Sequence, residues 1–145
     1  MSNKTEKALM VFGSGFNCAQ AVISVFCEDY SLNQCTAAKL ACGLGGGFRS
    51  GDICGAVSGA ILVIGLKHGQ GVVDDVVSKK LCYAKTEEFL KAYKNDNNSI
   101  VCRELLGIDI STEEGRKQAQ DQNLFRVKCD KLVESAISLL EEQGY

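Results

Sequence analysis

Residues 43–66 read GLGGGFRSGDICGAVSGAILVIGL, and this stretch decides how the rest of the chain is read. Its second half is apolar all round: Gly55, Ala56, Gly59 and Ala60 form a face of small residues, while Ile61, Leu62, Val63, Ile64 and Leu66 cover the remainder. A helix with no polar face gains nothing from water on any side and belongs in an interior. Interior glycine costs about 1 kcal/mol relative to alanine, so two of them one turn apart imply close approach by another helix or a bound group. The run falls well short of the roughly 20 residues that cross a bilayer. It is therefore read as a buried central helix from about Cys54 to His68 or Gly69, entered through a glycine-rich loop that lets the backbone fold tightly against its start.

Outward from this helix the pattern stays helical. The chain has no proline, and apolar residues recur at three- and four-residue intervals with few alternating runs, so the fold is expected to be all-α, a compact multi-helix bundle forming a single domain over 1–145. A first helix is predicted over Lys4–Phe12, ending near Gly13 and Gly15, and a second from Asn17, a good N-cap, to Asp29. Ser31 is placed as the cap of a third helix reaching Cys42. A fifth helix spans Val73–Tyr93, with Lys79, Lys80, Glu87 and Glu88 on a solvated face, and NDNNS at 95–99 breaks it. Ser99 is expected to cap a short helix ending at Leu106 and Gly107, and Ser111 with Glu114 fits a capping box opening another. Leu124–Glu142 closes the chain with the inward stripe Leu132, Val133, Ala136, Ile137 and Leu140.

Sixteen basic and eighteen acidic residues give a formal charge of −2, with no basic block interleaved with aromatics, so neither nucleic acid nor an anionic membrane is an expected partner. The N-terminal residues lack the apolar run of a signal peptide, and a cytoplasmic location without a membrane span is expected. The glycine loop matches neither GxGxxG nor GxxxxGK[ST], so no nucleotide is expected there. No Ser-His-Asp pattern, HExxH or paired carboxylate argues for hydrolysis.

What stands out is eight cysteines with no CxxC among them. Under reducing cytosolic conditions such an abundance points to metal binding or redox catalysis more than to structural disulfides. Cys54 is the strongest candidate for reactivity. A thiol in the first turn of a helix lies near free amides and the positive end of the dipole, which favour thiolate and lower its pKa. Arg49 adds to that effect if close, and Asp52 opposes it. The single histidine, His68, falls near a helix C-terminus where its protonated form is favoured, and it is assigned a structural or solvent-facing role.

The order NCAQAV at 17–22, a GGG loop followed by CGAVSG at 54–59, CRELLG at 102–107 and a late Cys129 resembles the C_GCAxxG_C_C family of redox-active proteins over nearly the whole chain. The resemblance implies a helical domain of similar length and maps the family's recurring cysteines onto Cys18, Cys54, Cys102 and Cys129. It also implies an iron–sulfur centre, [2Fe–2S] or another type, through a related module of split-Soret cytochromes. Those cytochromes carry CxxCH, which is missing here, so covalent c-type haem is not expected. Cys27, Cys35, Cys42 and Cys82 lie outside the family pattern and are read as small packing residues. Cys18 and Cys27, nine apart, would face opposite sides of one helix, whereas Cys35 and Cys42, seven apart, share a face.

Three functions stay open at this level. The first is electron transfer through a cluster held by the four family-matched cysteines, with a partner protein giving or taking electrons in the manner of a partner-dependent oxidoreductase. The second is thiol–disulfide exchange between Cys54 and one of Cys18, Cys102 or Cys129. The third is a helical interaction or small-ligand module in which the cysteines only pack. A homodimer is expected, chiefly because symmetric dimers are the commonest oligomers.

Overall fold

The computed structural model describes all 145 residues and contains eight helices and no strand. They are α1 Asn3–Gly13, α2 Cys18–Ser24, α3 Gln34–Ala41, α4 Gly55–His68, α5 Val76–Asn97, α6 Cys102–Leu106, α7 Glu113–Asp121 and α8 Asp130–Glu142. The all-α expectation holds, and α4 is the central element, packed against α2, α5 and α8. Its small-residue face explains the packing. A β-carbon at Gly59 would lie 2.7 Å from the Ala19 carbonyl oxygen and 3.1 Å from Ala19 Cα, so the glycine is what lets α2 and α4 touch backbone to backbone. The main core joins Val22, Ile23, Phe26, Val57, Val63, Ile64, Phe89, Ile137 and Leu140, with the predicted stripe of α8 facing inward. A second, smaller apolar cluster of Cys102, Leu106, Ile110, Ala119, Leu124 and Cys129 lies under α6 and α7.

Several local readings shift. The second helix ends at Ser24 and is followed by a 3₁₀ turn over Cys27–Tyr30, so the opposite-face argument for Cys18 and Cys27 lapses: the two sit in different elements. Ser31 has φ 64° and closes that turn, while Asn33 caps α3 by accepting from the Thr36 amide at 2.7 Å. α5 starts three residues later than predicted because Asp75 caps it through the Ser78 amide. It then runs through most of NDNNS to stop at Asn98, whose φ is 70°. Ser99 accepts from the Val101 amide and donates to Glu104, bracing the entry to α6 without capping its first turn. Thr112, one residue beyond Ser111, caps α7; Ser111 is held by Asp109. In each case several cap-competent side chains stand together, and tertiary contacts choose among them.

Helical backbone begins near the predicted residue, but its first stretch is one wide turn, Phe125–Cys129, that runs directly into α8, with the Asp130 amide reaching back to the Phe125 carbonyl. Wide turns of this kind insert an extra residue and often occur at functional sites. No helix is long and apolar enough to cross a membrane.

Candidate functional site

At the seam between the two apolar clusters is a cavity of about 440 Å³, and all four family-matched cysteines line it. Cys18 is the first residue of α2 and Cys102 the first of α6; Cys54 caps α4, and Cys129 precedes α8. Three helix starts and the wide turn leading into α8 therefore meet around one space. Each is positioned by a local device that the motif residues supply.

In the NCAQ segment, Asn17 and Gln20 form a reciprocal capping box, Asn17 Oδ1 accepting from the Gln20 amide at 2.9 Å and Gln20 Oε1 from the Asn17 amide at 2.8 Å. The remaining side-chain donors of both residues reach α3 and its end, Asn17 Nδ2 bonding the Cys42 carbonyl and Gln20 Nε2 that of Ala38. The cap thus fixes α2 and stitches it to α3, with Cys18 beside it. The reason for glycine after Cys54 is also steric: a β-carbon at Gly55 would overlap Cys18 Sγ.

Cys54 and Cys102 are 48 positions apart and are joined by an isolated antiparallel bridge between Ile53 and Val101. The Cys54 amide donates to the Ile100 carbonyl at 2.8 Å, and the Cys102 amide donates to that of Asp52. Residues on either side of such a pair share one face of the ribbon, so this short ladder turns both thiols the same way. Arg103 secures it from outside, bonding Asp52 Oδ1 at 3.0 Å and the Gly51 carbonyl at 3.2 Å. Asp52 is thereby committed to Arg103.

The glycine loop makes a left-handed turn. Gly46, Gly47, Phe48 and Arg49 all have positive φ, between 60° and 66°. Glycine adopts this conformation freely, but each non-glycine residue there costs about 1–2 kcal/mol. Strain of this kind persists where the surroundings over-determine it, and it clusters at functional sites. The turn brings Arg49 to the cavity wall, where Arg116 of α7 joins it. No carboxylate lines the cavity, and neither arginine has an ion-pair partner. Phe12, Leu106, Ile110, Phe125 and Leu132 complete an otherwise apolar wall.

Burial governs the electrostatics. Cys54 stands beside the Ala56 and Val57 amides as expected, and these pull its pKa down, but loss of water outweighs them and the thiol is pushed up overall. The expected lowering is thus reversed. Burial likewise raises Cys18 and Cys102 to about 12 and lifts Cys129 strongly, and each negative thiolate would further raise its neighbours. Burial thus favours the neutral thiol at all four positions. Tyr93, fully buried and stacked on Phe89, lies with Oη 3.9 Å from Cys54 Sγ while donating to the Leu132 carbonyl at 3.3 Å. Sequence reasoning missed Tyr93 and Arg116 because nothing local distinguishes them from an ordinary core tyrosine and a helix-surface arginine.

The remaining cysteines divide. Cys27 is buried and its thiol donates to the Ser24 carbonyl at 3.5 Å, and Cys82 packs half-buried on the core, both matching a packing role. Cys35 and Cys42 are exposed, which corrects their reading as packing residues, and Cys42 also lines the cavity. His68 stacks edge-on against Tyr145, with its pKa lowered by burial and by Lys67 and Lys85; the expected dipole-stabilised cation is therefore not favoured.

No three His, Cys, Asp or Glu side chains meet closely enough to ligate a single metal ion. The thiols ring a space instead of converging on a point, a layout suited to a group of several atoms. Soft sulfur donors are those of iron–sulfur clusters, and two arginines without ion-pair partners beside three helix starts oppose the negative charge of four thiolates, so the residues present fit such a group.

A family model described as "Putative redox-active protein (C_GCAxxG_C_C)" matches residues 16–143. No curated protein and no solved structure matches the chain.

Proposed function

Since the chain belongs to the C_GCAxxG_C_C family of redox-active proteins, we propose that it is an electron-transfer protein whose redox centre is an iron–sulfur cluster held by Cys18, Cys54, Cys102 and Cys129. The observation that carries this reading is the ring of four thiols around one acid-free cavity with Arg49 and Arg116 on its wall. When bound, the cluster supplies one-electron chemistry at a potential tuned by charge, hydrogen bonding and burial.

The chain's own residues have definable parts in this. Cys18, Cys54 and Cys102 would hold the group from helix starts and Cys129 from the wide turn before α8, so the backbone dipoles of three helices and both guanidiniums would oppose the charge that thiolate ligation brings. Tyr93 Oη stands 3.9 Å from Cys54 sulfur, and its one proton, donated to the Leu132 carbonyl, would have to turn to the sulfur to bond a Cys54 thiolate. The apolar wall keeps water from the sulfurs. The raised pKa values disfavour free thiolates but not metal-bound ones, because a coordinating thiol is deprotonated by the metal's charge. This weighs against a thiol–disulfide exchanger built on Cys54, whose rate depends on its thiolate fraction. The gathering of four thiols on one cavity weighs against a module in which they merely pack. A partner protein gives or takes the electrons.

Anaerobic purification followed by iron and acid-labile sulfide analysis tests the proposal. The expected result is bound iron and sulfide with a visible absorption that bleaches on chemical reduction. A colourless, iron-free protein after attempted reconstitution would contradict it.

A further inference from the structure

The first half of α5 and the turn before it carry a feature that the redox centre does not use. Of the 22 residues of α5, the buried ones are Phe89 and Tyr93, both in its second half. The preceding stretch exposes Val72, Val73, Val76, Val77, Leu81 and Tyr83, with Val73 at 89% and Val77 at 79% of their full accessibility. Single exposed apolar residues are ordinary, but six within twelve positions form a patch of the kind that marks an interaction surface.

The charges around the patch identify its occupant. The segment Val73–Leu81 reads VDDVVSKKL and is antisymmetric in charge about Val77: Asp74 and Asp75 precede it by three and two residues, and Lys80 and Lys79 follow it by the same steps. Lys80, Leu81 and Ala84 lie three, four and seven residues beyond Val77 and so share its helix face. When a second copy is laid antiparallel with Val77 on the two-fold axis, position i of α5 lies level with position 154 − i of the other chain, and Val73 and Asp74, in the turn just ahead of Val76, come beside Leu81 and Lys80 of the other helix. Val77 meets Val77, Val73 meets Leu81, and Asp74 meets Lys80, twice over by symmetry. This is the requirement of an isologous interface, in which one patch must complement itself.

We infer that α5 and the turn before it form a symmetric homodimer interface, the two copies crossing antiparallel at Val77 with Asp74 of each facing Lys80 of the other. The interface lies outside the cavity and does not depend on what the cavity holds. Asp74 and Lys80 are exposed, and neither is a cap of α5, so exchanging their charges leaves the helix intact.

The experiment is sedimentation velocity on the full chain in reductant, with helical content checked by circular dichroism. The wild type should sediment as a concentration-dependent dimer of twice 15.6 kDa. Val77→Glu should be monomeric with unchanged helical content. Asp74→Lys and Lys80→Asp should each be monomeric alone, because each faces like charges across the axis, yet they should form a dimer when mixed, and the double variant should dimerise with itself. A wild type that remains monomeric, a Val77→Glu protein that still dimerises, or a mixture that recovers no more dimer than either variant alone would overturn the inference. The variants retain all four cavity cysteines, so loss of dimer and loss of bound iron are separate readouts.

Discussion

Cys54 and Cys35 are the same side chain in opposite surroundings, and the contrast shows what makes a site here. Cys35 lies exposed in the first turn of α3 and does not line the cavity. Cys54 caps the buried central helix, with Tyr93 beside it and a backbone ladder delivering Cys102 to the same cavity. Neither is distinguished by spacing to its nearest cysteine. The difference lies in topology: the strained loop, the two-residue ladder and the wide turn before α8 bring distant thiols together, and nothing comparable acts on α3.

The largest test of this contrast is substitution by serine. Cys54→Ser or Cys102→Ser should abolish most of the bound iron and sulfide, while Cys35→Ser and Cys82→Ser leave both unchanged, as read by metal analysis after identical anaerobic reconstitution. Equal losses in all four variants would erase the distinction.

Next in size is a pair of glycines on one helix. Gly55→Ala drives a β-carbon into Cys18 Sγ, and overpacking of this type costs about 1–3 kcal/mol. Gly65→Ala meets nothing within 4 Å and should stabilise α4 by up to about 1 kcal/mol. Urea unfolding of the two variants should therefore move in opposite directions.

A smaller effect concerns pH in the reduced, metal-free protein. Cys18 and Cys102 are raised from 9.0 to about 12 on folding. A folded pKa above the unfolded one gives a contribution that is complete below the unfolded value and is lost as pH climbs toward the folded one. Stability should accordingly fall between pH 9.0 and about 12, seen as a drop in the urea midpoint across that range. Replacing Cys18 and Cys102 together by alanine should flatten the drop, and an unchanged slope would contradict the burial argument. Smallest of all, His68→Gln should leave iron content and absorption as they are.

Much of the fold was legible because its determinants are local. The all-apolar run of α4, the Asn17 cap and the stripe of α8 are each written within a few residues, and the structure reproduces them. The site was legible in part. Cys54 at a helix start could be read from the glycine and apolar pattern around it, and the other three cysteines came through resemblance. The direction of its pKa could not be read, because it depends on how much water the neighbouring elements exclude, and four walls of the cavity come from distant parts of the chain. The same holds for Arg116, Tyr93 and Cys42. Their places are set by how α7, α5 and the end of α3 pack around the cavity, and Arg49 reaches it only through the left-handed turn at Gly46–Arg49, a conformation that Phe48 and Arg49 would not adopt by preference.

The central claim is that Cys18, Cys54, Cys102 and Cys129 act as one centre. Differential alkylation read by peptide mass spectrometry, before and after anaerobic reconstitution with iron and sulfide, tests it most directly. The account predicts that these four thiols become protected together and in proportion to the iron bound, while Cys35 stays as reactive as before. Protection that falls on Cys35 as strongly, or that reaches the four cavity thiols independently of one another, would contradict it.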